Sequence, residues 1–138
     1  MSDTYYVKTF GGLEITNDNV TVNIVELFGK QLVNLLQVLL FHSEKPVQKD
    51  ELIDILWPES KNPSSALKFS IFRLRSELNE IEFFKDKEVI VTTRKGYILN
   101  PNLDWNIDFV ELEKAYNQIN DGSELLDEKE FKTAKKIF

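Results

Sequence analysis

At Lys30 the spacing of apolar residues changes, and that change narrows what this chain can fold into. Before it, apolar and polar residues alternate with period two; after it, apolar residues recur at the three-to-four spacing of helices. Tyr5-Tyr6-Val7-Lys8-Thr9-Phe10 is rich in β-formers, and Gly11-Gly12 supplies a turn or bulge. Leu13 and Ile15 then alternate with Glu14 and Thr16. After a second turn at Asn17-Asp18-Asn19, Val20, Val22 and Ile24 alternate with Thr21 and Asn23. This pattern predicts an antiparallel meander with one buried face.

The region from Lys30 divides into three helices. In the first, Leu32, Val33, Leu35, Leu36, Val38, Leu39, Leu40 and Phe41 leave little polar face, so protein should surround it. His42 and Ser43 close it, and Pro46 forbids continuation. The second runs from about Lys49 to Trp57, with Asp50 and Glu51 at the positive end of its dipole and Pro58 as its stop. The third has the clearest start, with Asn62 as N-cap and Pro63 in the first turn, and it continues through Leu78 to about Glu80. Glu88–Thr93 and Gly96–Leu99 then flank Arg94-Lys95, which reads as a β-hairpin with a basic tip.

Residues 101–105 read as a linker. A further amphipathic helix opens at Asn106 or Asp108, with Phe109, Leu112, Ala115, Tyr116 and Ile119 on one side, and ends near Asp121-Gly122. Glu128 to Phe138 has helical composition and stops with nothing after it to pack on. The chain is therefore expected to continue as part of a longer protein.

At about 100° per residue, Leu67, Ile71, Leu74 and Leu78 of the third helix share one stripe and should be buried. The opposite side collects Ser65, Lys68, Phe69, Phe72, Arg73 and Ser76. Arginine pairs bidentately with guanine, lysine and serine take phosphates or base edges, and an apolar ring packs on thymine methyls. The formal net charge of −6 speaks against a polyanionic partner, but phosphates respond to the local surface. Lys61, Lys68, Arg73 and Arg75 meet no acid between residues 61 and 76, whereas residues 101–138 hold five basic residues against nine acidic ones. A basic helical face is more often simply solvated, and two phenylalanines on it more often mean a second buried interface than base contact, with the helix at residues 106–120 or a partner protein as the cover.

Enzyme chemistry finds little support. The single histidine, His42, ends an apolar helix and fits a capping or surface role. Ser64-Ser65 has no histidine near it, and no glycine-rich phosphate loop follows a strand. Asp50 and Asp54 with Glu51 fit the exposed side of the second helix better than a catalytic carboxylate pair. No metal-ligand spacing stands out, and the absence of cysteine excludes disulfides and thiolate sites. No cofactor, metal or catalytic residue is expected. The amino terminus lacks a signal-peptide pattern and the longest apolar run is too short to span a bilayer, so a cytoplasmic location without membrane contact is expected.

Strands, three helices and a hairpin, in that order, constitute an α+β winged helix-turn-helix with an N-terminal antiparallel sheet and a C-terminal wing, followed by the start of an all-helical domain. Phe10-Gly11-Gly12-Leu13-Glu14-Ile15, Lys30 with Leu35-Leu36, and Val47…Glu51-Leu52…Leu56-Trp57-Pro58 resemble the OmpR/PhoB-type winged-helix DNA-binding domain. So do Ala66-Leu67…Ile71-Phe72-Arg73-Leu74-Arg75-Ser76-Glu77-Leu78 and Val91-Thr92-Thr93-Arg94-Lys95-Gly96-Tyr97. The variant that fits best is the SARP-like group, and Asn106-Ile107-Asp108…Leu112-Glu113 resembles the opening of its tetratricopeptide-like activator domain. The resemblance implies a DNA-binding domain over 1–100, a linker over 101–105 and a helical domain from 106 to 138.

It further implies a four-stranded N-terminal sheet, binding of tandem repeats in double-stranded DNA, DNA-dependent dimers, and contact with RNA polymerase through Glu59 to Asn62. By motif position Arg73 is a base or backbone contact, Arg75 a phosphate contact and Arg94 a wing contact. The sequence departs from the pattern at Phe72, where many relatives carry a polar or basic residue. The expected interface is Ser65, Lys68, Phe69, Phe72, Arg73, Arg75, Arg94 and Lys95. The alternative is an interaction module that docks a protein through Phe69 and Phe72.

Overall fold

The computed structural model describes residues 4–9 and 12–120. Three strands come first, β1 (Thr4–Lys8), β2 (Glu14–Asn17) and β3 (Val20–Asn23), followed by the helices α1 (Ile24–Leu27), α2 (Lys30–Phe41), α3 (Lys49–Leu56) and α4 (Pro63–Asn79). A 3-10 turn at Glu82–Phe84 leads to the hairpin β4 (Ile90–Thr92) and β5 (Tyr97–Leu99). Strand β6 (Asp104–Ile107) and helix α5 (Phe109–Asn120) complete the described chain. The architecture is the expected mixture of sheet, helices and terminal hairpin.

The meander forms as the alternation predicts, with β2 antiparallel to both β1 and β3 and Val7 paired with Ile15. The alternation does not run as far as Ile24, however, and Val20 is exposed. Asn23 caps a short helical turn instead, its side chain accepting from Glu26 N, while Ile24 N donates to Leu13 O at 2.8 Å. Because of this extra turn, the third helix of the sequence reading is α4.

The fourth strand arises beyond the hairpin. Asp104–Ile107 lies parallel to β1, pairing Tyr5 with Trp105 and giving the order β3-β2-β1-β6. Residues 104 and 105, read from the sequence as the end of a linker, are thus strand, and Asn106 belongs to it too. The following helix opens at Phe109, after Asp108. Trp105 and Ile107 alternate with Asp104 and Asn106, so a period-two signal was present. It spans only four residues behind a proline, and its partner lies about a hundred residues away. Tyr5 anchors this corner, 1% exposed, with its ring 4.8 Å from Phe84 and 5.4 Å from Trp105 and its hydroxyl donating to Phe83 O.

Helix α2 is the central rod. Every residue from Leu32 to Leu40 is buried, including the polar Asn34 and Gln37, as its nearly continuous apolar surface requires. Helices α3, α4 and α5 and strand β5 all pack on it. Leu112 and Ile119 bury the inner side of α5, and Tyr116 stacks on Phe41 at 4.2 Å and 10°. His42 closes α2 through its backbone N–H to Val38 O, and its Nε2 lies 3.3 Å from the Tyr116 hydroxyl. Burial, and secondarily the Glu51 carboxylate, raise the Tyr116 pKa above the ordinary tyrosine value. The helical segment expected at 128–138 lies outside the described residues.

Candidate nucleic-acid interface

Helix α4 starts where Asn62 and Pro63 signal, with Asn62 at the N-cap position, although its side chain makes no capping bond. The stripe of Leu67, Ile71, Leu74 and Leu78 is buried as periodicity requires, joined by Ser70. That burial fixes the rotation of the helix and turns Ser65, Lys68, Phe69, Phe72, Arg73 and Ser76 outward, all of them exposed. Phe69 is 61% and Phe72 67% exposed, the highest values among the large hydrophobic residues described. Helix α5, the element that had offered itself as a cover for these rings, packs on α2 and α3 instead.

Two side chains shape Arg73. Its Nη2 lies 3.5 Å from Glu77 Oε2, one helical turn on, and its guanidinium carbon is 5.9 Å from the centroid of the Phe69 ring. Both contacts hold the long side chain along the helix surface, and Glu77 partly neutralises it. The i, i+4 spacing of Arg73 and Glu77 could have revealed this pair in the sequence. Lys68 has no hydrogen-bonding or ionic partner among the described residues.

The wing is shorter than its sequence pattern, since the ladder covers only Ile90–Thr92 and Tyr97–Leu99. Thr93 and Gly96 close the tip by reciprocal backbone bonds, and the Thr93 hydroxyl accepts from the amides of both Lys95 and Gly96 at 3.1 Å. Arg94 and Lys95 at the tip are exposed and, among the described residues, unpaired. The inner strand β5 is buried throughout and is held to the helical layer by Val47, which exchanges two backbone bonds with Tyr97.

Arg75 differs from the other expected contacts. Its Nε and Nη2 donate to Ile90 O at 3.3 and 3.2 Å, and Nη2 also donates to the Thr92 hydroxyl at 2.6 Å. The guanidinium sits 6.0 Å from the centroid of the Tyr97 ring. These bonds tie the helix to the wing. Sequence alone gave the charge of Arg75 but not its direction, because the acceptors lie 15 and 17 residues away.

A basic helix face beside a basic hairpin tip, on this topology, agrees with a comparison against protein families. The model described as "Transcriptional regulatory protein, C terminal" matches residues 20–99. The chain belongs to this family. The match runs from β3 through the helices to the end of the wing, and it bears out the OmpR/PhoB-type resemblance. No curated protein sequence matches. Among solved structures, the DNA-binding domain of E. coli CadC is similar at 27% identity and a TM-score of 0.49, covering 63% of this chain and 78% of that one. Mycobacterium tuberculosis EmbR, solved in complex with a low-affinity phosphopeptide, is similar in fold at 23% identity and a TM-score of 0.51. That likeness covers 70% of this chain, which spans 24% of the EmbR chain. In this regulatory domain no described helix is long and apolar enough to cross a membrane.

Proposed function

We propose that this regulatory domain binds double-stranded DNA sequence-specifically, with α4 in the major groove and the wing on backbone or minor groove, as the DNA-reading part of a bacterial transcription regulator. The observation that carries the reading is the openness of four cations on two elements: Lys68 and Arg73 on α4, Arg94 and Lys95 on the wing. Ser65, Phe69 and Phe72 complete the face, and Arg75 contributes by holding the wing. Such a surface supplies the local positive field that phosphates require, despite the net charge of −6.

In-vitro selection of binding sites from random duplex, followed by titration of variants, tests it. Arg73→Ala is expected to cost roughly 1–3 kcal/mol at the preferred base, while Lys95→Ala weakens all sequences alike and flattens the salt dependence. Binding of the selected site by both variants as tightly as by the parent would reject the assignment. The exposure of Phe69 and Phe72 favours the second reading, a protein-docking module. That reading expects no mobility shift with random duplex at low salt.

Glu77 tempers the face, because its carboxylate competes with phosphate for Arg73. Glu77→Gln is expected to tighten binding to random duplex a few-fold at low salt. Stability should hardly change, since a half-exposed i, i+4 pair contributes about 0.3–0.5 kcal/mol. Binding that weakened or stayed constant would remove Glu77 from this role.

One module contacts few base pairs, so binding as tandem copies on repeats, with a DNA-dependent dimer, accords with the size of the face. The exposed Glu59–Asn62 loop is our proposed contact for RNA polymerase. We also assign the chain to the SARP-like branch, with residues 106–138 opening a helical activator domain. Because α5 packs on α2, that domain would be seated on the DNA-binding one.

A further inference from the structure

The charges and hydroxyls of α4 suit any nucleic acid backbone, but its two exposed phenylalanines do not, and they call for an apolar counterpart. Phe69 and Phe72 stand one turn apart on the side that carries Lys68 and Arg73, with Ser65 and Ser76 near the two ends. No acidic residue occurs between positions 61 and 76. An apolar strip bordered by cations complements a surface with negative flanks and an apolar floor. The major groove has this form wherever thymine projects its C5 methyl between the phosphate rows. Arg73 adds a geometric link, because its guanidinium lies over the Phe69 ring. An arginine reaching a guanine from that position would set the ring beside a neighbouring base.

We propose that Phe69 and Phe72 read thymine methyl groups, so that the preferred site is specified by apolar contact at thymines as well as by hydrogen bonds from Arg73. The proposal rests on DNA binding through α4 and adds the chemistry that selects the sequence.

The test begins with a site selected by the full chain, in which each thymine is then replaced by deoxyuridine. This removes the methyl and leaves base pairing intact. At one or more thymines the replacement should weaken binding about fourfold, the worth of burying one methyl-sized group. The loss should vanish in Phe69→Ala or Phe72→Ala, which would bind the two forms of the site equally. Both rings are exposed, so these variants should keep the parent's circular dichroism and melting temperature.

Indifference of the parent to every replacement would overturn the proposal, as would a loss that persists in both variants. Either result leaves DNA binding intact and removes the two rings from thymine readout. A parent that selected no duplex at all would remove the DNA reading itself, which separates the two failures.

Discussion

Replacing Gly96 with alanine is expected to destabilise the domain by more than about 3 kcal/mol and to abolish the contribution of the wing to DNA binding. Gly96 has φ +148°, a conformation that side chains rarely adopt, and its α-carbon faces the chain entering α3. A Cβ there would lie 1.9 Å from Val47 O, 2.7 Å from Val47 C and 3.0 Å from Gln48 Cα. All three are backbone atoms, so no rotamer change relieves the clash. Val47 cannot retreat without breaking its bonds with Tyr97, at 2.8 and 3.0 Å. The hairpin must therefore lift off α2, exposing β5, whose three residues are all buried. Urea unfolding measures the loss, and an unfolding free energy within about 0.5 kcal/mol of the parent's would disprove it. Circular dichroism should still report helices, since the contacts among α2, α3 and α4 do not depend on Gly96.

This residue marks how far the sequence could be read. Gly96 was recognisable as a turn glycine because Arg94-Lys95 sits between two β-rich runs. Its main constraint is the close approach of Val47, a contact between segments far apart in the chain that no local pattern encodes. The same division holds elsewhere. Helices α2, α3 and α4 were legible because each carries its own periodicity and its own stop, at Pro46, Pro58 and the turn after Leu78. Strand β6 was missed because four residues of alternation are a weak signal and the partner strand is at the other end of the chain. On the candidate interface, the outward set of α4 followed from the inward one, since burial of Leu67, Ile71, Leu74 and Leu78 leaves the helix a single rotation. What the outward side chains do with one another did not follow. The Glu77 contact was within reach of helical spacing, whereas the direction of Arg75 depended on where the wing would fold.

Arg75→Ala is the second variant with a large expected effect, about 2–4 kcal/mol of lost stability and a fall in melting temperature of roughly 10 °C. The guanidinium makes two bonds to the carbonyl of the buried Ile90 and one to Thr92, and it lies near the Tyr97 ring. Truncation removes these charge-assisted bonds together and leaves the wing attached mainly through Val47. Arg75→Lys should recover little, because a single ammonium cannot reproduce a fork that holds a carbonyl and a hydroxyl simultaneously. The lysine variant also separates a strut from a phosphate contact. As a phosphate contact, Arg75→Lys would keep the parent's melting temperature and salt slope, and Arg75→Ala would lower only the slope, by about one ion. As a strut, both variants melt early and lose affinity through the displaced wing, and Lys95→Ala then costs much less in the Arg75→Ala background than it costs in the parent. Additive losses for Arg75→Ala and Lys95→Ala, with melting unchanged, would return Arg75 to the DNA surface.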